Sequence, residues 1–235
     1  MYDESLLLQT LSRFAVILPA RYDLHEALSE LTESVTAVLG LCGSWVTMGT
    51  EGQLRFLTTT SEASAEMGRD HEQLHPFPCP CRDAYTTGEV VQVTDVREES
   101  TRWPEFSASA TRLSVAGVAA IPMRLGDEVI GAINLYSPVP REWSDEDIAV
   151  AGVLADMATS YVVNASHLHQ QEQLSEQLQE ALEARIVIEQ AKGITFQQNS
   201  VTLEQAYQLM RSHARDNNAS LRTVAEAIVA VGLQV

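Results

Sequence analysis

The sequence predicts an α+β protein: a domain of mixed helices and strands, then one long helix, then a small helical unit. Two observations support this prediction. Apolar residues recur at helical spacing up to residue 40 and then alternate with polar residues, as they do in strands. Between Ser144 and Gly193 the chain has no proline and only one glycine, Gly152, so a single helix can run through the whole stretch. Helices and strands segregated in this way are typical of the α+β class.

Two amphipathic helices are predicted at the start of the chain, over residues 5–18 and 22–40. Pro19 ends the first helix, because proline cannot continue a helix from its preceding turn. In the second, Leu24, Leu28 and Leu31 recur every three or four residues. Gly40 follows as the expected C-cap.

The next segments predict an antiparallel sheet. Residues 41–61 alternate apolar and polar side chains around the turn sequence GTEGQ, which indicates a hairpin. Residues 83–87 predict a short helix ending at Gly88, and residues 89–96 predict a strand. Residues 115–137 read as strand, turn at Gly126-Asp127, and strand.

The long helix is expected to begin at Ser144, which forms a capping-box pattern with Asp147. Apolar residues continue along it at spacings of three and four: Leu154, Met157, Tyr161, Ala165, Leu168, Leu174, Leu178, Leu182 and Ile186. This pattern fits either a coiled coil or a solvated helical linker. We favour a parallel dimer, because a stripe of leucines on a lone helix would face water.

The net charge of −17 is confined to the front of the chain. Residues 1–180 carry ten arginines against 27 acidic residues, whereas residues 181–235 carry five basic and five acidic residues. A polyanion can therefore approach only the tail without meeting a strongly negative field. The acidic N-terminus, the odd count of three cysteines and the lack of a run of 18 apolar residues predict a cytoplasmic protein with reduced thiols and no membrane span.

The tail contains the one lysine of the chain, Lys192, followed directly by Gly193. Glycine in the middle of a helix costs about 1 kcal/mol relative to alanine, so Gly193 calls for a packing or functional reason. A residue without a side chain beside a cation would let a nucleic-acid backbone approach closely. Two further helices are predicted, starting at Thr202 and Ser220.

Residues 181–233 resemble the ANTAR domain, a three-helix RNA-binding module of bacterial transcription antiterminators. The resemblance is carried by R-x-x-I-E-Q-A-K-G from Arg185, by A-Y-x-L-M-R in the next helix and by N-x-S-L-R-x-V-A leading into the last. It implies a dimer that binds paired stem-loops in leader transcripts and so prevents a terminator from forming. The RNA-binding candidates are Arg185, Gln190, Lys192, Gly193, Arg211 and Arg222.

Four of these candidates also have a simpler interpretation. Arg185 fits a charge flanking a coiled coil, and Lys192 fits a solvated surface lysine. Arg211 and Arg222 fit structural ion pairs, for instance with Glu226. The chain also departs from the family pattern after the glycine, where Gln197 and Gln198 replace the basic residue that members often carry.

Residues 20–163 resemble a GAF domain, a sensor module with a six-stranded antiparallel sheet and flanking helices. The resemblance rests on residues 24–40, 80–96 and 115–159. It implies a pocket built around residues 61–116, in which Cys81, Trp103 and Phe106 are ligand-binding candidates. The ligand and any cofactor stay unknown, because GAF domains bind cyclic nucleotides, small metabolites, tetrapyrroles or nothing.

The two resemblances together predict three parts: a GAF sensor domain over residues 1–163, a coiled-coil linker helix over 164–184 and an ANTAR RNA-binding domain over 185–235. The expected function is a non-enzymatic, signal-responsive antitermination regulator, with a small molecule as a possible GAF ligand. One alternative is a DNA-binding regulator, although the last helix offers chiefly Arg222 and Thr223 to a major groove.

A second alternative is a methionine sulfoxide reductase of the GAF type, using Cys42, Cys79 and Cys81. A −17 protein does not obviously supply the local activation that a thiolate nucleophile needs. Cys79 and Cys81 also lie near His71 and His75, which raises the idea of a zinc or iron site. The spacing is too loose for a recognisable metal motif, so no metal is expected.

Overall fold

The structure is a computed structural model that describes residues 2–18, 22–50, 53–59 and 78–235. Contacts within the chain divide it into two compact units, Met1–Ser166 and His167–Val235. Each unit has its own hydrophobic core, and the two are described separately below. In chain order the elements are α1 (Glu4–Ile17), α2 (Leu24–Leu39), β1 (Gly43–Thr50), β2 (Gln53–Thr59), α3 (Pro80–Thr87), β3 (Val91–Val93), α4 (Pro104–Arg112), β4 (Gly117–Leu125), β5 (Glu128–Ser137), α5 (Asp145–Asn199), α6 (Leu203–Asp216) and α7 (Leu221–Val231).

The first unit is built on an antiparallel sheet with the strand order β2-β1-β5-β4-β3. The hairpin β4–β5 turns at Gly126, whose φ of +62° lies in the left-handed region that glycine adopts without strain. The α+β class and the antiparallel sheet predicted from the sequence are confirmed. The described residues form five strands; the GAF resemblance implies six, and residues 60–77 lie outside the described ranges.

The two faces of the sheet carry two separate apolar clusters. On one face, Ile133 and Leu135 of β5 belong to a cluster with Leu28 of α2, Phe14 of α1 and Leu154 of α5. Successive strand residues point to opposite faces, so the neighbours Asn134 and Tyr136 face the other way. That second face carries a cluster of residues from β1, α3, α4 and β5, namely Trp45, Cys79, Cys81, Trp103, Phe106 and Tyr136 among others.

Helices with a strong apolar periodicity were predicted correctly from the sequence, whereas a helix with a weak periodicity was not. Helices α1 and α2 fall where the sequence predicted them, and Gly40 is the C-cap of α2 with φ +61°. Helix α4 lies in the middle segment that had no predicted structure; it has few large apolar residues to mark its period and begins at Pro104. The strand predicted over 89–96 is regular only for Val91–Val93. Beyond it the Thr94 carbonyl accepts a hydrogen bond from the Arg141 backbone rather than from a neighbouring strand.

The start of α5 is fixed by Arg141 and Asp147. The Asp147 amide donates to Ser144 Oγ at 3.1 Å, which is the predicted cap. The Asp147 carboxylate accepts a hydrogen bond from Arg141 Nη2 at 2.8 Å, and Arg141 Nη1 donates to the Leu39 carbonyl at 2.8 Å. Arg141 thus joins the end of α2 to the first turn of α5.

This ion pair predicts a pH dependence of stability. Burial raises the pKa of Asp147, whereas the hydrogen bond and charge of Arg141 lower it, and the resulting pKa lies below its ordinary value of 3.8. The contribution of the pair is therefore complete above about pH 4 and lost as pH falls through the lowered pKa. We expect the urea midpoint of the wild type to fall more between pH 7 and about pH 3 than that of Asp147→Asn. Equal losses in the two proteins would contradict a role for this carboxylate.

By length and composition alone, α5 is long enough to cross a membrane and contains an 18-residue window that is apolar enough to do so. Core helices of soluble proteins pass the same test. In the first unit, Ala151, Leu154, Ala158 and Tyr161 of α5 are buried against the sheet and α1. We therefore interpret this window as a core helix.

The second unit consists of the remainder of α5 with α6 and α7. Its core contains Ala191, Met210, Ala214, Val224, Ala225 and Ile228. The predicted caps are present: Thr202 forms a capping box with Gln205, and Ser220 Oγ accepts from the Thr223 amide at 3.0 Å. Helix α5 continues past Gly193 to Asn199, so the glycine does not end it.

Candidate functional site

Two cations from different helices lie beside one aromatic ring in the second unit. Lys192 Nζ of α5 is 5.9 Å from the centroid of the Tyr207 ring, and Arg211 Cζ of α6 is 6.0 Å from it. Both distances lie at the outer limit of a cation–π contact, which is about 6 Å from the ring centroid. We call Lys192, Tyr207 and Arg211 the Tyr207 platform.

The helix pattern of α6 positions two members of the platform. Tyr207 and Arg211 are four residues apart, so they lie on one face of the helix. Their neighbours Ala206 and Met210 are buried, which places the Tyr207 side at the edge of the core. On α5, Ala191 is buried in the same core and Lys192 lies beside it at the border with solvent.

Glu189 holds the ammonium group of Lys192. Lys192 Nζ donates to both carboxylate oxygens of Glu189, at 2.9 and 3.0 Å. The two residues are one helical turn apart, and the Glu189 side chain is 58% exposed. Surface ion pairs of this kind contribute about 0–1 kcal/mol, so an incoming phosphate can displace Glu189 at small cost.

Gly193 stands beside the platform with open space in place of a side chain. It is exposed, and a Cβ added there would meet no other atom within 4 Å. Packing within the chain therefore gives no reason for glycine at this mid-helix position. A Cβ added at Gly152, which also lies within α5, would likewise meet no other atom within 4 Å, so Gly152 provides a matched comparison.

The remaining predicted RNA-binding residues are Arg185, Gln190 and Arg222. Arg185 and Gln190 are exposed on α5. Arg222 Nε donates to Glu226 Oε1 at 2.8 Å, which is the ion pair that the sequence analysis gave as the alternative for Arg222. The hydrogen bond from Arg222 to Glu226, and then the Glu226 charge, raise the pKa of Arg222.

Tyr207 was missed as a site residue by the sequence analysis. The A-Y-x-L-M-R motif contained it, but a tyrosine in an amphipathic helix is most simply a core residue. A usable signal was present, because Tyr207 precedes Arg211 by four residues and so shares its face. The position of Lys192 beside Tyr207 depends on how two helices pack, and sequence spacing does not give that.

The predicted ligand-binding residues of the first unit share one buried cluster. Cys81, Trp103 and Phe106 all lie in the apolar cluster on the second face of the sheet. Three buried polar atoms of the first unit have no hydrogen-bond partner within the described ranges: Trp103 Nε1, Ser107 Oγ and Asn134 Oδ1. Buried polar atoms are nearly always paired, so each of these three atoms is a candidate contact for a polar molecule.

The three cysteines are thiols grouped around Tyr136. Cys42 Sγ donates to the Tyr136 carbonyl at 3.2 Å, and Cys79 Sγ lies 2.9 Å from Cys81 Sγ. Burial, and then the charges of Cys81, Cys79 and Cys42, raise the pKa of Tyr136. His71 and His75 lie outside the described residues, and among the residues described no three metal-ligating side chains form a group.

Comparisons with known proteins agree with this architecture. The family model described as GAF domain matches residues 23–162, and the one described as ANTAR domain matches residues 176–229. No curated protein sequence matches the chain.

Solved structures show the same fold for the first unit. The domain of a putative two-component sensor histidine kinase from Sinorhizobium meliloti 1021 is 16% identical, with a TM-score of 0.55, over 65% of this chain and 99% of that one. Free methionine-R-sulfoxide reductase from Neisseria meningitidis is 13% identical, with a TM-score of 0.53, over 72% and 96%. The phycoerythrobilin-bound GAF domain from a cyanobacterial phytochrome is 14% identical, with a TM-score of 0.53, over 69% and 97%.

These identities are low, so the solved structures support the fold and not a shared ligand or reaction. The family matches go further, because they account for most of both units. The GAF match precedes the ANTAR match in the sequence, and the residue range of α5 overlaps both matches. The chain belongs to the GAF domain family and joins its GAF domain to an ANTAR domain, the architecture of GAF-ANTAR signalling regulators with an RNA-binding output.

Proposed function

We propose that this protein is a cytoplasmic transcription antitermination regulator that binds paired RNA hairpins as a dimer, under the control of a small ligand of its GAF domain. The observation that carries the proposal is the Tyr207 platform within the ANTAR domain. Proteins bind unpaired hairpin-loop bases by stacking them on aromatic rings, and they hold the backbone with cations. Lys192, Tyr207 and Arg211 supply both kinds of group at one place.

The charge distribution supports RNA binding at this unit. The first 180 residues repel a polyanion, whereas residues 181–235 are neutral overall. Within this neutral unit, the cations Lys192 and Arg211 beside the Tyr207 ring can attract phosphate locally. Arg185, Gln190 and Arg222 remain candidate contacts at other points of an RNA.

Dimer formation is proposed from a stripe of exposed aliphatic side chains on α5. Leu174, Leu178, Leu182 and Ile186 follow one another at intervals of four residues and are 56%, 62%, 53% and 50% exposed. A second copy of the same helix would cover this stripe, as in a coiled coil. Two ANTAR units held together would then bind two hairpins of one transcript.

The GAF domain is proposed to bind a small polar molecule beside Trp103. The unpaired Trp103 Nε1–H calls for an acceptor, and Ser107 Oγ, one helical turn further on, can donate or accept. In this interpretation Cys81 and Phe106 form apolar walls of the pocket. The ligand would act as the signal that changes RNA binding.

The reductase alternative is disfavoured by the state of its thiols. Burial, followed by the hydrogen bond to Cys79 and the charge of Cys79, raises the pKa of Cys81 well above its ordinary value. Burial also raises the pKa of Cys42. A catalytic cysteine needs a lowered pKa to act as a thiolate, so these two thiols are poor nucleophiles. The protein is therefore proposed to act as a regulator and not as an enzyme.

The function class is tested by selection with the full-length protein. One library contains RNAs with two short hairpins and randomised loops, and the other contains duplex DNA of the same length. We expect enrichment of RNAs that keep both hairpins, because the platform reads unstacked loop bases. Enrichment of duplex DNA with no enrichment of RNA would overturn the proposal in favour of the DNA-binding alternative.

Gly193→Ala is expected to raise protein stability and lower RNA affinity together. Alanine adds about 1 kcal/mol of helix stability without a clash, while its Cβ fills the space left open for the RNA backbone. Thermal unfolding and RNA titration measure the two effects. Gly152→Ala is the matched control: it should bring a similar gain in stability with RNA affinity unchanged. Unchanged RNA affinity in Gly193→Ala would show that RNA does not approach at Gly193.

A further inference from the structure

Two cysteines separated by one residue bring their sulfur atoms together inside the GAF domain. Cys79 Sγ and Cys81 Sγ are 2.9 Å apart, and both residues are 2% exposed. Cys79 precedes helix α3 as its N-cap, and Cys81 lies in the first turn of that helix. The pair belongs to the apolar cluster that also contains Trp103 and Tyr136.

Geometry at the start of α3 distinguishes the two sulfurs. Cys79 Sγ accepts a hydrogen bond from the Arg82 backbone N–H at 3.4 Å. A helix N-terminus favours negative charge on a group placed there, and it favours thiolate on a cysteine. Burial, and then the hydrogen bond to Cys79 and the charge of Cys79, raise the pKa of Cys81, so Cys81 is the sulfur of the pair that keeps its proton.

We propose that Cys79 and Cys81 are a redox pair that a small hydroperoxide converts into an intramolecular disulfide. The Cys79 thiolate attacks one peroxide oxygen, the O–O bond breaks, and the other oxygen leaves as water or an alcohol after taking a proton. Cys79 is then a sulfenic acid. The Cys81 sulfur attacks Cys79 Sγ and displaces hydroxide, which leaves as water with the Cys81 proton. In total, two thiols lose two electrons and two protons, and one hydroperoxide is reduced.

The first step prepares the second. Sulfenic acid formation removes the negative charge from Cys79, and with it one of the causes that raise the pKa of Cys81. The sulfurs must then approach by about 0.9 Å to reach a disulfide bond of about 2.05 Å. Such a movement is small for two side chains at the end of a short helix.

The burial of Cys79 and Cys81 limits the oxidants that can reach their sulfur atoms to small molecules. At 2% exposure, neither sulfur can be reached by a protein disulfide or by a bulky thiol. Hydrogen peroxide is close to water in size and can enter a core through ordinary fluctuations. The GAF domain would thus respond to oxidant at the cluster that holds Trp103, and this inference does not depend on RNA binding.

Trypsin makes the test direct, because cleavage after Arg69 and Arg82 leaves Cys79 and Cys81 together in one peptide, residues 70–82. Cys42 falls in a separate peptide, residues 22–55. The folded full-length wild type is treated with hydrogen peroxide, the excess peroxide is removed with catalase, and the protein is then denatured in the presence of the alkylating reagent and digested. We expect peptide 70–82 to be unalkylated and lighter than its reduced form by two hydrogen atoms. Dithiothreitol treatment before alkylation should restore two alkylated cysteines.

Three results would overturn the proposal. Peptide 70–82 could carry two alkyl groups after peroxide, it could gain oxygen atoms on one cysteine while the other is alkylated, or its cysteines could be linked only to a second chain. Peptide 22–55 is the internal control, since Cys42 has no partner on its own peptide. The wild-type chain suffices for each readout, so the result does not depend on whether a cysteine variant folds.

Discussion

Replacing Leu178 and Leu182 with glutamate is expected to convert the protein to monomers and to weaken binding of two-hairpin RNA by about 10²-fold or more. Both side chains are more than half exposed in the single chain, so the substitution costs little within the chain itself. In a dimer it would place four carboxylates along the contact between two copies of α5. Linked binding of two hairpins would be lost with the dimer. Sedimentation velocity gives the oligomeric state, and RNA titration gives the affinity.

The matched control is Gln173→Glu with Gln177→Glu. Both glutamines are exposed on α5, Gln173 opposite the middle of the leucine stripe and Gln177 at its edge, and the double variant adds the same charge. It should remain a dimer and lose far less RNA affinity. A dimer that persists in the Leu178/Leu182 variant would show that α5 does not hold the two copies together through this stripe.

Tyr207→Ala is expected to weaken RNA binding by roughly 1–3 kcal/mol, the contribution of one base stacked on an aromatic side chain. Tyr207→Phe keeps the ring and should retain most of the affinity. The side chain is half-buried at the edge of the core, so thermal unfolding of both variants is measured beside RNA titration. If Tyr207→Ala folds and binds RNA as tightly as the wild type, no base stacks on this ring.

Much of the fold could be predicted because its elements carry strong periodic signals. The leucines of α2, the cap at Gly40 and the turn at Gly126 each have a local physical cause that is visible in the sequence. Helix α4 could not be predicted in this way. Its nine residues include three serine or threonine residues and a single large apolar side chain, Phe106, so burial of its inner face depends on contacts with distant strands.

The candidate site was predictable in part. A single lysine next to a mid-helix glycine directed attention to this turn of α5 from composition alone. Its relation to Tyr207 and Arg211 arises from the packing of α5 on α6, which no spacing within one helix specifies. The sequence likewise proposed a capping box at Ser144, but the carboxylate of Asp147 turns to Arg141, a partner supplied by the loop before the helix.

The proposed function depends above all on RNA binding by the ANTAR unit at the Tyr207 platform. The most direct test is titration of a selected two-hairpin RNA with wild type and Lys192→Ala across a series of salt concentrations. We expect weaker binding by the variant and a shallower dependence of log affinity on log salt, by about one phosphate contact for each ANTAR unit engaged. Equal affinity and equal salt dependence would contradict the claim and would leave Lys192 as a surface residue paired with Glu189.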